Sequence, residues 1–517
     1  MSTVSTPQGT VRGTALKIDG RTAHAFLGVP YAESPRFRPP VPVTPWDGVR
    51  DCTAPGAMAP QNPDPFTPPS DTFADLWDED SCLNLNIWTP APDGARRPVM
   101  VWIHGGAYVG GSNNGAMHDG GPLASAADVV VVAVNYRLGA FGFLHLPELL
   151  GPEYADSSNV ALLDLLEALR WVSRNIAAFG GDPGNVTVFG ESAGAAAIGT
   201  MLGMPASEGL FRRAIMQSGT AERYRTADES AAVAAEFLRL CGLDAARAGE
   251  LLALPAGRLL AAQKALAEAE AGRSFSVPLP FQPTVGTPSL PEPPLDAVRN
   301  GRNSAVDLMA GTNLNEGSFA VEMRPAYPSD PPRLEDRVEL LLAACFADPA
   351  AAREHYADAL ADALGAQPGG KQLLEACLAD QLYRQPSNRL LDARASSSGT
   401  NFSYLFTWPS PALDGKLGAC HALEIPFVFR QLDCREARFL VGTEAPAELS
   451  AMMGAAWSAF ARAGEPAAAG LPRWPSYAAQ SRETMVLDIQ PRIEADPRSA
   501  LRTFWAAQPD VAMVRPA

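Results

Sequence analysis

Ser192 occupies the middle of Gly190-Glu191-Ser192-Ala193-Gly194, between the apolar run Val186-Thr187-Val188-Phe189 and the small residues Ala195-Ala196-Ala197-Ile198. A serine hydroxyl is a weak nucleophile until a base, an exposing turn and donors for the developing oxyanion surround it. A strand, a sharp turn and a helix start supply that turn and lift the oxygen to its apex. In a chain with 44 glycines the five-residue pattern alone is weak. The strand before it and the helix after it give it weight.

Donors are expected where the apolar run Val99–Ile103 ends in His104-Gly105-Gly106-Ala107-Tyr108. Two adjacent glycines let backbone N–H groups turn into a cavity, so Gly105 and Gly106, with Ala193, are the candidate oxyanion donors. A plain glycine-rich turn is the alternative, and no Gly-Lys-Ser/Thr follows to make a phosphate loop.

Six histidines could act as base: His24, His104, His118, His145, His355 and His421. In the strand-turn-helix arrangement the chain order is nucleophile, acid, histidine, which leaves His355 and His421. His355 lies in a helical, solvent-facing context, whereas His421 follows Leu417-Gly418-Ala419-Cys420 in a loop after the strand-like run Phe402–Phe406. His421 is therefore the expected base. The acid should follow a strand between Ser192 and His421, and Asp307–Ala310 leads into Gly311-Thr312-Asn313-Leu314-Asn315-Glu316-Gly317. Glu316 is the candidate that would orient the imidazole; a surface loop carboxylate is the alternative. Glu424, three residues after His421, is too close in sequence for that task.

These residues need a scaffold that gathers strand ends. Strand-like runs at Leu85–Trp88, Val99–Ile103, Val129–Asn135, Val186–Phe189, Ala214–Gln217, Asp307–Ala310 and Phe402–Phe406 alternate with helical ones. Among the helices, Leu162, Leu165, Leu166, Leu169 and Val172 form one apolar stripe, with Asp164, Glu167 and Arg170 off it. Near-continuous apolar strands alternating with helices predict an α/β fold with a large, mostly parallel sheet covered on both faces. Reactive groups then collect at the carboxyl ends of the strands. No repeat or low-complexity linker divides the chain, so one domain over 1–517 is expected.

Residues 55–80 and the Pro-rich 274–294 interrupt the alternation as long loops. Phe66, Phe73 and Trp77 in the first, and Phe275 and Phe281 in the second, are candidates to line an apolar pocket or simply to pack on the body. The Ala-rich stretch from Val338 to Asp380 reads as helices, either a cap or ordinary surface helices.

A net charge of -16 argues against nucleic acid and anionic membranes as partners. Met1–Pro7 does not read as a secretory signal, and no apolar stretch is long enough to span a bilayer. Seven cysteines in an odd count without metal-type spacing predict reduced thiols and a cytoplasmic location.

With these residues in hand, the chain resembles the type-B carboxylesterase (cholinesterase-like) family of α/β-hydrolases, in particular bacterial members of the para-nitrobenzyl esterase kind. The likeness runs from Phe26-Leu27-Gly28-Val29-Pro30-Tyr31-Ala32 through Cys82–Ile87, His104-Gly105-Gly106, Asn135–Gly139 and Ala178–Pro183 into the Ser192 motif. It continues at Gln217-Ser218-Gly219, Asn315-Glu316-Gly317, Gly418–His421 and Trp457–Pro466. The resemblance implies an α/β-hydrolase fold with long insertions forming a gorge or cap. It implies hydrolysis of a small-molecule carboxylic ester through an acyl-enzyme, without metal or organic cofactor. Ser192, Glu316 and His421 would be the triad, Gly105, Gly106 and Ala193 the oxyanion hole, and Glu191 and Ser218 a supporting layer behind them. An amidase or carbamate hydrolase with the same triad is the alternative activity, and a non-catalytic adhesion-type homologue the remote one. Oligomeric state is not legible.

Three departures from the family pattern stand out. Glu33–Phe37 is shortened, and Asn315 stands where Asp is frequent beside the acid. The family's early disulfide lacks a partner here, because Ala59 precedes Pro60-Gln61, unless Cys52 pairs with Cys82.

Overall fold

The computed structural model describes residues 1–63, 76–271, 279–323 and 333–508. Its main sheet runs in the order Ser2–Thr6, Gly9–Ile18, Arg21–Pro30, Asn84–Thr89, Val130–Val134, Arg97–Ile103, Gly181–Glu191, Arg213–Gln217, Asp307–Asn313, Asn401–Phe406, Glu483–Leu487, Arg492–Ala495. From Val130–Val134 to Glu483–Leu487 neighbouring strands are parallel, and both flanks are antiparallel. This is the large, mostly parallel sheet that the strand-helix alternation predicts, in the α/β-hydrolase arrangement that the resemblance implies.

Successive strand side chains enter opposite cores, as the two-residue period of a strand requires. Val99, Val101 and Ile103 pack with the helices Val160–Asn175 and Ala193–Gly203 on one face. Met100 and Trp102 pack with the helix Ala447–Ala463 on the other. A third, separate core joins Leu334–Cys345, Pro349–Leu364, Gly370–Ala379 and the terminal helix Ser499–Ala506. The Val338–Asp380 stretch thus forms a helical annex with its own apolar interior.

Asp164 and Glu167, off the Leu162–Val172 stripe, are nevertheless both buried. Arg137 neutralises Asp164, with Nη2 2.6 Å from Oδ1 and Nε 2.8 Å from Oδ2. Its remaining Nη1 donates to the carbonyls of Pro35 and Arg38 at 2.8 Å each, pinning the shortened loop to the sheet. A buried, bidentate pair hides from a periodicity argument because it satisfies its charge inside the core.

Phe281 is wholly buried against Phe237, and Trp77 is half-buried on the main core. Both belong to the body of the fold. Phe66, Phe73 and Phe275 lie outside the described residues. Cys52 and Cys82 are both buried free thiols, so they do not pair.

Candidate active site

The strand Gly181–Glu191 hands directly over to the helix Ala193–Gly203, and Ser192 between them has φ 53° and ψ -119°. Such a backbone costs about 1–3 kcal/mol for a residue with a Cβ, and the surroundings must hold it. They do so by close approach. A Cβ at Gly194 would lie 2.0 Å from the Ile103 carbonyl oxygen, and one at Gly190 2.7 Å from the same atom. The Ser192 N–H donates to the Gln217 carbonyl at 2.9 Å, tying the turn to the next strand. The flanking glycines are therefore steric requirements of the turn.

The segment after Ile103 folds back over this serine. A Cβ at Gly105 would lie 3.2 Å from Ser192 Cβ and 2.7 Å from Glu191 Oε2. Gly106, Ala107 and Tyr108 follow with φ of 109°, 55° and 62°. Among the described residues, the N–H groups of Gly105, Gly106 and Ala107 donate to no protein acceptor. The Ala193 N–H opens its helix, where no intrahelical acceptor exists. Free donors therefore gather beside the serine. Ala107 joins the set expected from sequence because it shares the left-handed turn.

Glu316 begins the short helix Glu316–Glu322 at the end of the strand Asp307–Asn313 and is 1% exposed. Its Oε1 accepts from Ser218 Oγ at 2.5 Å and from the Asn313 N–H at 2.7 Å. Its Oε2 lies 2.6 Å from His421 Nδ1. The His421 loop is zipped to this acid loop. Asn315 N–H donates to the Ala419 carbonyl at 2.9 Å, and Ala419 N–H to Asn315 Oδ1 at 3.0 Å. Asn313 Nδ2 reaches the Cys420 carbonyl at 2.6 Å. Asn315, the departure beside the acid, is thus a tie between the loops.

The far ring nitrogen of His421 meets different neighbours. Nε2 is 3.0 Å from Glu191 Oε1 and 3.4 Å from the Tyr383 hydroxyl. The Glu191 contact lacks hydrogen-bond alignment, and Oε1 has no aligned partner. Among the described residues no hydrogen bond joins Nε2 to Ser192 Oγ, so the imidazole faces the carboxylate beside the serine.

Burial drives the electrostatics. It pushes the Glu191 carboxyl up to about 8; the His421 charge opposes this, while Glu424 and Glu316 add to it. For His421, burial disfavours the imidazolium, but Glu191, Tyr383 and Glu316 outweigh it and raise the proton affinity. Burial lowers His104 to about 4 and His118 to about 3, which keeps both neutral. His355 is exposed on its helix and stacked on Phe504. Of the six histidines, His421 is the one the structure brings to Glu316 and the serine turn.

A buried polar layer behind the acid escaped sequence reasoning. Glu424 Oε2 accepts from Asn313 Nδ2 at 2.6 Å, and its Oε1 from Gln217 Nε2 at 3.0 Å. Gln217 Oε1 in turn accepts from Trp457 Nε1 at 3.0 Å. Glu424 braces the Asn313 side chain and makes no contact with the imidazole. Its signal was visible only as a polar residue beside apolar Leu423 and Ile425. Among the described residues no three His, Cys, Asp or Glu side chains converge as metal ligands.

Comparison with known proteins identifies the family. A family model described as the carboxylesterase family matches residues 1–505. A para-nitrobenzyl esterase of Bacillus subtilis (strain 168) is 37% identical over 96% of this chain and 97% of its own. A phenmedipham hydrolase of Pseudarthrobacter oxydans is 35% identical over 90% and 91%. The crystal structure of a Geobacillus stearothermophilus carboxylesterase superposes with a TM-score of 0.85 at 34% identity, covering 98% of this chain and 100% of that one. By fold and by sequence, the chain belongs to the carboxylesterase family and is a carboxylic ester hydrolase.

Proposed function

We propose that ester hydrolysis runs through an acyl-enzyme on Ser192. His421, oriented through Nδ1 by Glu316, takes the serine proton as the oxygen attacks the ester carbonyl. The oxyanion is held by backbone N–H groups drawn from Gly105, Gly106, Ala107 and Ala193. The imidazolium then protonates the leaving alcohol, and the neutral ring activates water for deacylation. The observation that carries this reading is the strained serine turn under unsatisfied N–H donors, with an acid-held imidazole beside it.

One movement is required. Nε2 must turn from Glu191 toward Ser192 Oγ by rotation of the side chain about its own bonds. Hydrogen bonds of this kind are often misaligned in unliganded enzymes and tighten when substrate enters. A relative named as a para-nitrobenzyl esterase supports esters of a benzylic alcohol as substrates. We also read residues 1–517 as one domain, and the seven unpaired cysteines support a reducing, cytoplasmic setting.

Ser192→Ala tests the nucleophile. Turnover of para-nitrophenyl butyrate should fall by at least about 10³-fold with the melting temperature retained. Activity within tenfold of the parent would remove Ser192 from the mechanism. Matched ester and anilide substrates separate esterase from amidase, with the ester expected to be favoured.

A further inference from the structure

Tyr383 has no motif around it, yet its ring touches the candidate base. Its ring stacks on His421 with centroids 4.5 Å apart and planes 28° from parallel. Its hydroxyl is 3.4 Å from Nε2. The local backbone explains how it gets there. Residues Asp380–Arg384 form a π-helical turn between the helices Gly370–Ala379 and Gln385–Ala393. Such a turn inserts an extra residue into the helix, re-aims the side chains it carries, and is concentrated at functional sites.

The turn is held at both ends by buried charge. Asp380 accepts from the Tyr356 hydroxyl and from Arg384 Nη1, each at 2.8 Å. Tyr356 in turn accepts from Trp505 Nε1 at 2.7 Å, within the core of the annex. Arg384 Nη2 donates to the carbonyls of Asn313 at 3.0 Å and Leu314 at 2.8 Å, the loop that carries Glu316. One turn is therefore bolted to the annex on one side and to the acid loop on the other, and it lays a phenol across the imidazole.

We propose that Tyr383 is a positioning residue for His421: its ring backs the imidazole, and its hydroxyl oxygen accepts from Nε2–H of the imidazolium. The proposal rests on the reading of His421 as the base. The ring face favours the charged imidazole, and the hydroxyl does so when it accepts from a protonated Nε2. A cation is attracted to the face of a phenol within about 6 Å, and a hydroxyl lone pair can serve only a nitrogen that bears a proton. The other titratable groups facing His421 are Glu316 from the acid loop and Glu191 from the serine turn. Both are carboxyl groups and act in the same direction. The imidazolium of the free enzyme is therefore held between these groups, and Nε2 turns to Ser192 Oγ once the ring has lost its proton.

The test is the pH dependence of kcat/KM for para-nitrophenyl butyrate in Tyr383→Phe, which keeps the face, and Tyr383→Leu, which loses both contacts. Weaker support for the imidazolium lets His421 lose its proton more easily, so the rising limb should move to lower pH. The expected shift is about half a unit in Tyr383→Phe and about one unit in Tyr383→Leu. In Tyr383→Leu, kcat on the plateau should fall about tenfold with KM within about twofold, as loss of orientation predicts. A limb that stays in place in Tyr383→Phe overturns the proposal, and that variant decides alone if Tyr383→Leu does not fold. Labelling of the unmutated enzyme with a para-nitrophenyl phosphonate checks the underlying reading separately. Modified Ser192 with an unmoved limb defeats the role of Tyr383 only, whereas unmodified Ser192 defeats the acyl-enzyme reading itself.

Discussion

The two sides of the His421 ring are built in opposite ways. On the Nδ1 side, Glu316 is buried and its carboxylate receives Ser218 Oγ, the Asn313 N–H and the imidazole, so both of its oxygens have aligned partners. On the Nε2 side, Glu191 is also buried and lies 3.0 Å away, yet that carboxyl oxygen has no aligned partner. Two glutamates at similar range to one ring therefore do different work. Aligned donors fix one as a permanent support. Lack of them leaves the other as a carboxyl group that the ring can leave, which a base must do to reach its serine.

Breaking the Nδ1 side should have the largest effect. Glu316→Gln removes the charge that stabilises the imidazolium and permits the wrong tautomer, so kcat should fall about 10³–10⁴-fold with little change in melting temperature. A loss below tenfold would transfer the orienting role to another carboxylate. Ser218→Ala strips a single donor from Glu316. A hydrogen bond to a charged group contributes about 1.5–3 kcal/mol, and only part is specific to the transition state, so a fall of about tenfold in kcat is expected. Unchanged kinetics would make Ser218 a packing residue.

Breaking the Nε2 side should move a profile more than it lowers a rate. His421 works as a base only when neutral, and Glu191, where ionised, favours its protonated form. Glu191→Gln removes that charge, lowers the proton affinity of the ring and should shift the rising limb of kcat/KM to lower pH by about one unit. A shift to higher pH would mean that Glu191 acts on His421 chiefly as a neutral hydrogen-bond donor.

The same contrast explains what was legible. The serine turn, the glycine pair after Ile103 and the acid after Asn313 all sit at ends of apolar strands, and local periodicity marks strand ends. His421 needed an argument from chain order, because its loop has no period. Tyr383, Glu424 and the Gln217–Trp457 bond carried no such mark. Their importance arises from partners at separations of 38 to 240 residues. The burial of Asp164 and Glu167 carried no such mark either, because it depends on the arginines that satisfy them, Arg137 and Arg174.

What the amino-acid order determined by itself was the alternation of strands and helices, and with it the parallel sheet and the residues poised at its carboxyl edge. Those features depend on short-range spacing and on glycines that a tight turn demands. Only the tertiary structure decided which way the imidazole faces, which of two carboxylates holds it, and that a helical annex reaches back to stack a phenol on it. Orientation and proton affinity are set by groups within a few ångströms in space, and linear distance along the chain does not encode that proximity.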